Sequence, residues 1–258
     1  MLKIEILYSE VANLFGDLFN IHYLKESFPD TEIVYTSLKD TPAFVNREDL
    51  DLVYLGPMPE DAQEWVIDAL RPHTDVLRQR IDAGRPFLFT GNAWEVLGQY
   101  IERDDGSRIE ALGIHPGYAV RRMMSRYNSL YLGKMPLQAT GDAGSANSQS
   151  NQNAAEAMDI IGFKSQFSAT YGIPQELALF QTVRECDAEH SAGTEGMRMQ
   201  NCFGTYLLGP FLIVDPGFTR YLLRVMGVQE PLLAFEKEVD YAYEERMRDF
   251  LDPTKDFH

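Results

Sequence analysis

The chain predicts an α/β fold: an open, mainly parallel sheet flanked by helices, with a further helix at the C-terminus. Three observations carry this. Short apolar runs alternate with stretches of helical period through the first half of the chain. Two of those runs stop abruptly at turn residues, Gly56-Pro57-Met58-Pro59 and Gly91-Asn92-Ala93. The run LDLVYLG, residues 50 to 56, is apolar without alternation, as in a parallel strand buried on both faces.

The elements follow in order. Residues 2 to 7 alternate apolar and polar and read as the first strand. Between Glu10 and Phe28 the positions Val11, Leu14, Phe15, Leu18, Ile21 and Leu24 form one stripe, which predicts a helix stopped by Pro29-Asp30. The β-branched segment 31 to 37 predicts a second strand, and 50 to 56 a third. Glu60 to Arg80 reads as a helix broken near Pro72. Phe87 to Thr90 is a strand running at once into a helix-like Trp94 to Tyr100, the geometry of a nucleophile elbow. In open parallel sheets ligands sit at the carboxyl ends of strands, so loops 56–61 and 90–94 are expected at one end of the sheet. Strand-like pieces follow within 109–131, and strands at 159–167, 180–184, 197–203 and 211–214. A short helix is expected over 216–225 and an acidic amphipathic helix over 232–251.

The chain has 258 residues, and at about 150 residues per domain this suits one large domain with decorations. We divide it into residues 1–227, interrupted by a flexible insertion at 137–157 that is nearly free of large apolar side chains, and a helical extension at 228–258. Charge balance is 23 − 39 = −16, which argues against a nucleic-acid surface and a polybasic membrane anchor. The longest apolar runs fall far short of the ~20 residues that span a bilayer. The N-terminus lacks the pattern of a signal peptide, so a soluble, cytoplasmic protein is expected. Two cysteines make neither a disulfide framework nor a zinc cluster, and no histidine pair has ligand spacing, so no metal and no cofactor are expected. Neither a GxxxxGK[ST] loop nor a GxGxxG fingerprint is present, so an ATP-driven step would belong to a partner.

Several segments, in order, resemble the class I glutamine amidotransferase family, a flavodoxin-like three-layer fold. The likeness is to its cobyric acid synthase-like branch, and within that to glutaminase subunits of lipid II isoglutaminyl synthase. They are Leu7-Tyr8 with Asn13 to Asp17; Val53 to Gly56; Pro86 to Gln99, ending Val96-Leu97-Gly98-Gln99; Gly162-Phe163; and Asn201 followed by Gly204-Thr205-Tyr206-Leu207-Leu208-Gly209-Pro210. The resemblance implies ammonia release from glutamine. An elbow cysteine attacks the amide, a histidine moves the proton and backbone N–H groups hold the oxyanion. It also implies an ATP-dependent synthetase partner, of the Mur-ligase type or another.

Four positions depart from that pattern. Aligned on Val96 to Gln99, Gly91 stands where the nucleophile should be, and glycine has no side chain. A one-residue slip offers only Thr90 or Asn92. Leu208 stands where the histidine should be and moves no proton. The oxyanion positions are expected at Gly56, Pro57 and Asn92, and proline has no N–H to donate. In the second-half loop, Gly-Phe-Glu-Asn-His becomes Gly162-Phe163-Lys164-Ser165-Gln166.

The expectation is a catalytically degenerate relative that binds, scaffolds or regulates a synthetase. The alternative is a repurposed enzyme that takes a small molecule in the same pocket. Thr90, Trp94, Glu95, Lys164, Gln166 and Tyr206 are its candidate lining residues. Glu95 also reads as a helix-start carboxylate, Cys202 as a core thiol, Cys186 as unreactive in its acidic setting, and His115 as a loop residue.

Overall fold

The structure, a computed structural model, describes residues 1–137, 157–186 and 193–257. Its strands are β1 (Lys3–Leu7), β2 (Glu32–Thr36), β3 (Leu52–Leu55), β4 (Phe87–Thr90), β5 (Tyr100–Glu102), β6 (Arg108–Glu110), β7 (Tyr118–Arg121), β8 (Tyr127–Pro136), β9 (Ala157–Gln166), β10 (Ser168–Tyr171), β11 (Phe180–Glu185), β12 (Thr194–Glu195), β13 (Met197–Met199) and β14 (Cys202–Thr205). The helices are α1 (Phe19–Ser27), α2 (Ala43–Asn46), α3 (Glu60–Leu70), α4 (Thr74–Asp82), α5 (Phe211–Val214), α6 (Pro216–Val225) and α7 (Glu236–Leu251).

The central sheet has the order β13-β14-β4-β3-β1-β2, parallel except for the edge strand β13. Period-two alternation sends its side chains to two cores. Val53, Leu55, Phe87 and Phe89 pack with Val66, Ile67 and Leu70 of α3 and Leu77 and Ile81 of α4. Ile4, Ile6, Leu52, Tyr54 and Leu88 pack with Ile21 and Leu24 of α1 and Phe218 and Leu222 of α6. Burial on both faces is why the strands read as unbroken apolar runs. Two four-stranded sheets complete the fold, β10-β7-β5-β6 and β12-β11-β8-β9. Among the described residues, no helix is long and apolar enough to cross a membrane.

Several sequence expectations need correction. The helix foreseen over Glu10 to Phe28 is only α1. Before it, Leu14–Gly16 form a 3-10 turn with positive φ at Phe15 (60°) and Gly16 (69°). The turn is held from outside: Leu14 N–H donates to Pro57 O (2.9 Å) and Leu18 N–H to the Asn13 side chain (3.1 Å). The helix-like stretch expected over Trp94 to Tyr100 is a 3-10 helix that begins earlier and ends sooner, Gly91–Leu97, and Tyr100 opens β5. Leu97 O accepts Ile114 N–H (2.8 Å) and His115 N–H (3.1 Å), bonds to a neighbouring loop in place of a helical ladder. The 211–214 run is helix α5, not a strand; short apolar runs do not distinguish the two by period. The 197–203 run is the β13–β14 hairpin, turned at Gln200 with φ 53°. Of the insertion at 137–157, all but its two end residues lie outside the described residues, and Ala157 begins β9.

Helix α7 lies on its own chain. Arg220 of α6 bonds both Asp240 oxygens (2.9 and 2.7 Å) and Glu236 (3.0 Å). Tyr243 donates to Asp159 O (3.0 Å), and Phe250 packs with Phe257, Leu132 and Ile161.

At the carboxyl tips of β3 and β4, Tyr54 OH donates to Asp17 Oδ2 (2.7 Å), and the Thr90 hydroxyl bonds the same oxygen. Burial outweighs these bonds and pushes the Asp17 carboxyl up to about 6 from 3.8. A carboxyl with a raised folded-state value contributes its stability below the unfolded value and loses it as pH rises through the folded one. Urea unfolding of the wild type and Asp17→Asn is therefore expected to show the wild type losing up to about 3 kcal/mol relative to the variant between pH 4 and 7. Asp215, pushed up to about 7 by burial, titrates in both chains and cancels in that difference.

Candidate active site

The tips of β3 and β4 meet through loops 56–61 and 90–94. Gly91, directly after β4, has φ 57°, a region that costs glycine least. A Cβ built there would lie 2.5 Å from Pro57 Cβ and 3.2 Å from Leu208 Cδ2. Gly91, Pro57 and Leu208 thus fill one another's space. Leu208 is buried and set by its N–H bond to Phe163 O (2.9 Å). Gly56 is required by a close approach, since a Cβ there would sit 2.9 Å from Ala12 O. Asn92 clamps the loops together: its Nδ2 donates to Met58 O (2.8 Å) and its Oδ1 accepts Met58 N–H (3.0 Å). Residue 57 therefore has no N–H, and that of residue 58 is already bonded. The remaining cleft is small, about 70 Å³, and Phe15, Pro57, Asn92, Arg126, Gln166 and Leu208 are among its walls.

The helix-start reading of Glu95 is overturned. It lies inside the 3-10 turn, 1 % exposed, and is held by side chains from elsewhere. Gln63 Nε2 donates to it (3.0 Å), Tyr206 OH donates (2.8 Å), and the Ser168 hydroxyl bonds it. Gln63 also donates to Asn92 O (2.8 Å) and accepts from Arg121 (2.9 Å). Burial raises the Glu95 value above its usual range, opposed by the three hydrogen bonds and by Arg121. One carboxyl so joins the elbow to α3, β7, β10 and the segment after β14.

The expected six-residue lining divides. Trp94, Lys164, Gln166 and Tyr206 share the wall of a second cavity, of about 110 Å³. Thr90 and Glu95 line neither cavity: Thr90 bonds Asp17 and Tyr54 (3.0 Å), and Glu95 is enclosed as described. Trp94 packs edge-on against Tyr206, ring centroids 5.0 Å apart, and lies over Gly204, where a Cβ would come within 2.6 Å. Lys164 pairs with Glu185 (2.7 Å), both side chains buried. Gln166 Nε2 donates to Ser168 O (2.6 Å).

His115 lies in the loop between β6 and β7, as expected, and is buried. Its Nδ1 accepts Gly117 N–H (3.1 Å), and burial lowers its value to about 4, which keeps the ring neutral. Cys202 is fully buried, and burial pushes its thiol up. Among the described residues, no group of three or more His, Cys, Asp or Glu is placed to hold a metal ion. Sequence reasoning assigned no role to Asp17, Gln63, Arg121, Ser168, Glu185 or Glu195. Each is a polar residue that bonds partners distant in sequence, and of the six only Asp17 falls in a segment singled out above.

No protein-family model matches the chain. Two curated relatives are each named "Lipid II isoglutaminyl synthase (glutamine-hydrolyzing) subunit GatD". The Streptococcus pneumoniae protein is 24 % identical over 215 residues, 82 % of this chain and 75 % of the relative. The Staphylococcus aureus protein is 24 % identical over 237 residues, 90 % of this chain and 87 % of the relative. A crystal structure of a glutamine amidotransferase superposes with a TM-score of 0.52 at 13 % identity, covering 87 % of this chain and 99 % of that one, a likeness of fold.

Replacing Glu95 by Leu removes the shared acceptor of three buried hydrogen bonds, leaving the Ser168 hydroxyl and one Gln63 N–H unpaired and Tyr206 with only Thr170 (2.7 Å). The expected loss in unfolding free energy is about 3–5 kcal/mol, against about 1 kcal/mol for Glu95→Gln, which keeps an acceptor for Ser168 and Tyr206. Equal losses in denaturant titrations of the two variants would refute this role for the carboxyl.

Proposed function

We propose that this glutamine amidotransferase-like chain is a catalytically silent subunit that binds, scaffolds or regulates an ATP-dependent synthetase, one of the Mur-ligase type being the favoured partner. One observation carries the reading: Gly91, Pro57 and Leu208 are packed together at the strand tips, with a side chain at 91 excluded at 2.5 Å by Pro57. Amide hydrolysis by this fold needs a thiolate at the elbow, an imidazole opposite it and N–H donors for the oxyanion. Here the first position has no side chain, the second an alkyl group, and the facing loop a proline. The closed packing supports loss of reaction with retention of fold. A scaffold that keeps its core but not its nucleophile retains surfaces for association.

The buried thiol does not restore the chemistry. Cys202 belongs to β14, is 0 % exposed, and is held neutral by burial, whereas a nucleophilic cysteine needs an accessible thiolate.

The test is ammonia release from glutamine. The wild type, Gly91→Cys, Leu208→His and the double variant are all expected at background. The double variant still meets Pro57 at the position of the new Cβ. Mixed with a Mur-ligase-type synthetase, the chain is expected to support amidation from free ammonia but not from glutamine. Glutamine turnover by the wild-type chain, lost on altering a residue of the 90–95 loop, would overturn the proposal.

A further inference from the structure

The central sheet ends on one side at β2, and no strand lies beyond it among the described residues. Glu32 N–H donates to Leu2 O (2.8 Å) and Thr36 O accepts Tyr8 N–H (2.7 Å), so residues 32, 34 and 36 turn their peptide groups toward β1. The direction alternates along a strand, so Ile33 and Tyr35 turn theirs outward. Among the described residues, nothing bonds the N–H or C=O of either. These groups stand in a row along the edge, a template for another strand.

Three other edges are guarded. The middle residue of β13 is Arg198, and β6 carries Arg108 and Glu110. Along β9, Phe163 O accepts Leu208 N–H (2.9 Å) and the Asp215 side chain accepts Ile161 N–H (3.1 Å). Charges and covering segments are the usual means of blocking an edge. Strand β2 contains no proline and no lysine, and its register with β1 runs without a bulge. Its one charged residue, Glu32, is engaged by Arg47 of its own chain (2.8 Å). Tyr35 is 59 % exposed.

The outward groups fix which strand fits. In an antiparallel pair, facing residues that exchange both N–H···O=C bonds alternate with facing residues that exchange none. Ile33 opposite Tyr35 of a second copy, and Tyr35 opposite its Ile33, uses every outward group of both strands. Val34 then meets Val34 on the two-fold axis, and Glu32 meets Thr36. The contact is isologous. It sets an aromatic against a β-branched side chain twice, a favourable cross-strand pair, and opposes no like charges. The same register brings Asp30 of each copy level with Leu38 and Lys39 of the other, and both charged residues are exposed.

We propose that β2 is a self-association surface: two copies of this chain pair their β2 strands antiparallel about Val34 and join their six-stranded sheets into one. Strand β2 lies three strands from β4, about 14 Å at ordinary strand spacing, so the strand pairing does not reach the loop at Gly91. This inference does not rest on the silent-elbow reading, and a failure of either leaves the other standing.

Each copy carries a net charge of −16, which opposes association, so the test is made at about 0.15 M salt, where exposed charges more than about 8 Å apart are screened. Sedimentation of the full chain at rising concentration is expected to show the mass doubling. Tyr35→Lys leaves the bonds to β1 in place, and it is expected to weaken the dimer at least about tenfold. Crosslinking reads the register. Antiparallel partners that exchange no bond have Cα atoms about 4.5 Å apart, within reach of a disulfide. In a Cys186→Ser background the other native thiol, Cys202, is buried. There, Val34→Cys is expected to give a covalent dimer under a mild oxidant, and Tyr35→Cys, which faces Ile33, at least about tenfold less. A wild type that stays monomeric up to about 1 mM would overturn the proposal. So would a dimer that a folded Tyr35→Lys chain keeps at full strength, or equal crosslinking by the two cysteine variants. If a variant does not fold, the wild-type mass and the remaining variants decide.

Discussion

A buried carboxyl organises this molecule. Glu95 sits where the chain leaves β4, and Gln63, Ser168 and Tyr206 each commit a donor to it. Those residues come from α3, β10 and the segment after β14, elements far apart in sequence. A charge or hydroxyl removed from water is costly unless its partners are complete. The network therefore permits one relative placement of the central sheet and the β10-β7-β5-β6 sheet. Trp94 and Tyr206 pack around it, and Gly204 makes room for the indole. The cavity beside Trp94 follows from that arrangement, as does the fixed course of the elbow.

The turn after β4 carries no side chain at its first residue, Gly91. Positive φ at Gly91 is the strained conformation such a turn needs, and glycine adopts it at least cost. The space a side chain would have filled is taken by Pro57 and Leu208. This is apolar packing of ordinary kind, which stabilises the end of the sheet. Asn92, clamped to the Met58 peptide, contributes to the same closure. The packing of Gly91, Pro57 and Leu208 is confined to the strand tips and leaves the two cores beneath undisturbed.

Much of this was legible from residue order. Leu52 to Leu55 and Phe87 to Thr90 read as buried parallel strands because both faces of the central sheet are covered. The break at Pro72 shows as the turn between α3 and α4. Gly91 and Leu208 could be singled out from their flanking segments alone, and the structure packs them together. Other features could not. Phe15 and Gly16 lie in a helical stripe but adopt positive φ, because Leu14 N–H and Leu18 N–H are claimed by Pro57 and Asn13. Phe211 to Val214 reads as a strand but is a helix, and a four-residue apolar run has no period that separates the two. Glu95 resembled a helix-start carboxylate because its partners lie up to 111 positions away.

The sequence by itself determined the α/β class, the order of the parallel strands' apolar runs, and that glycine and leucine stand at positions 91 and 208. These depend on composition and local spacing, which no folding changes. Tertiary structure alone decided that Pro57 and Leu208 close over Gly91, that Glu95 is enclosed, and that Lys164, Gln166 and Trp94 converge on one cavity. Those outcomes depend on contacts between distant segments, and the free energy of a buried polar group depends on the partners that reach it.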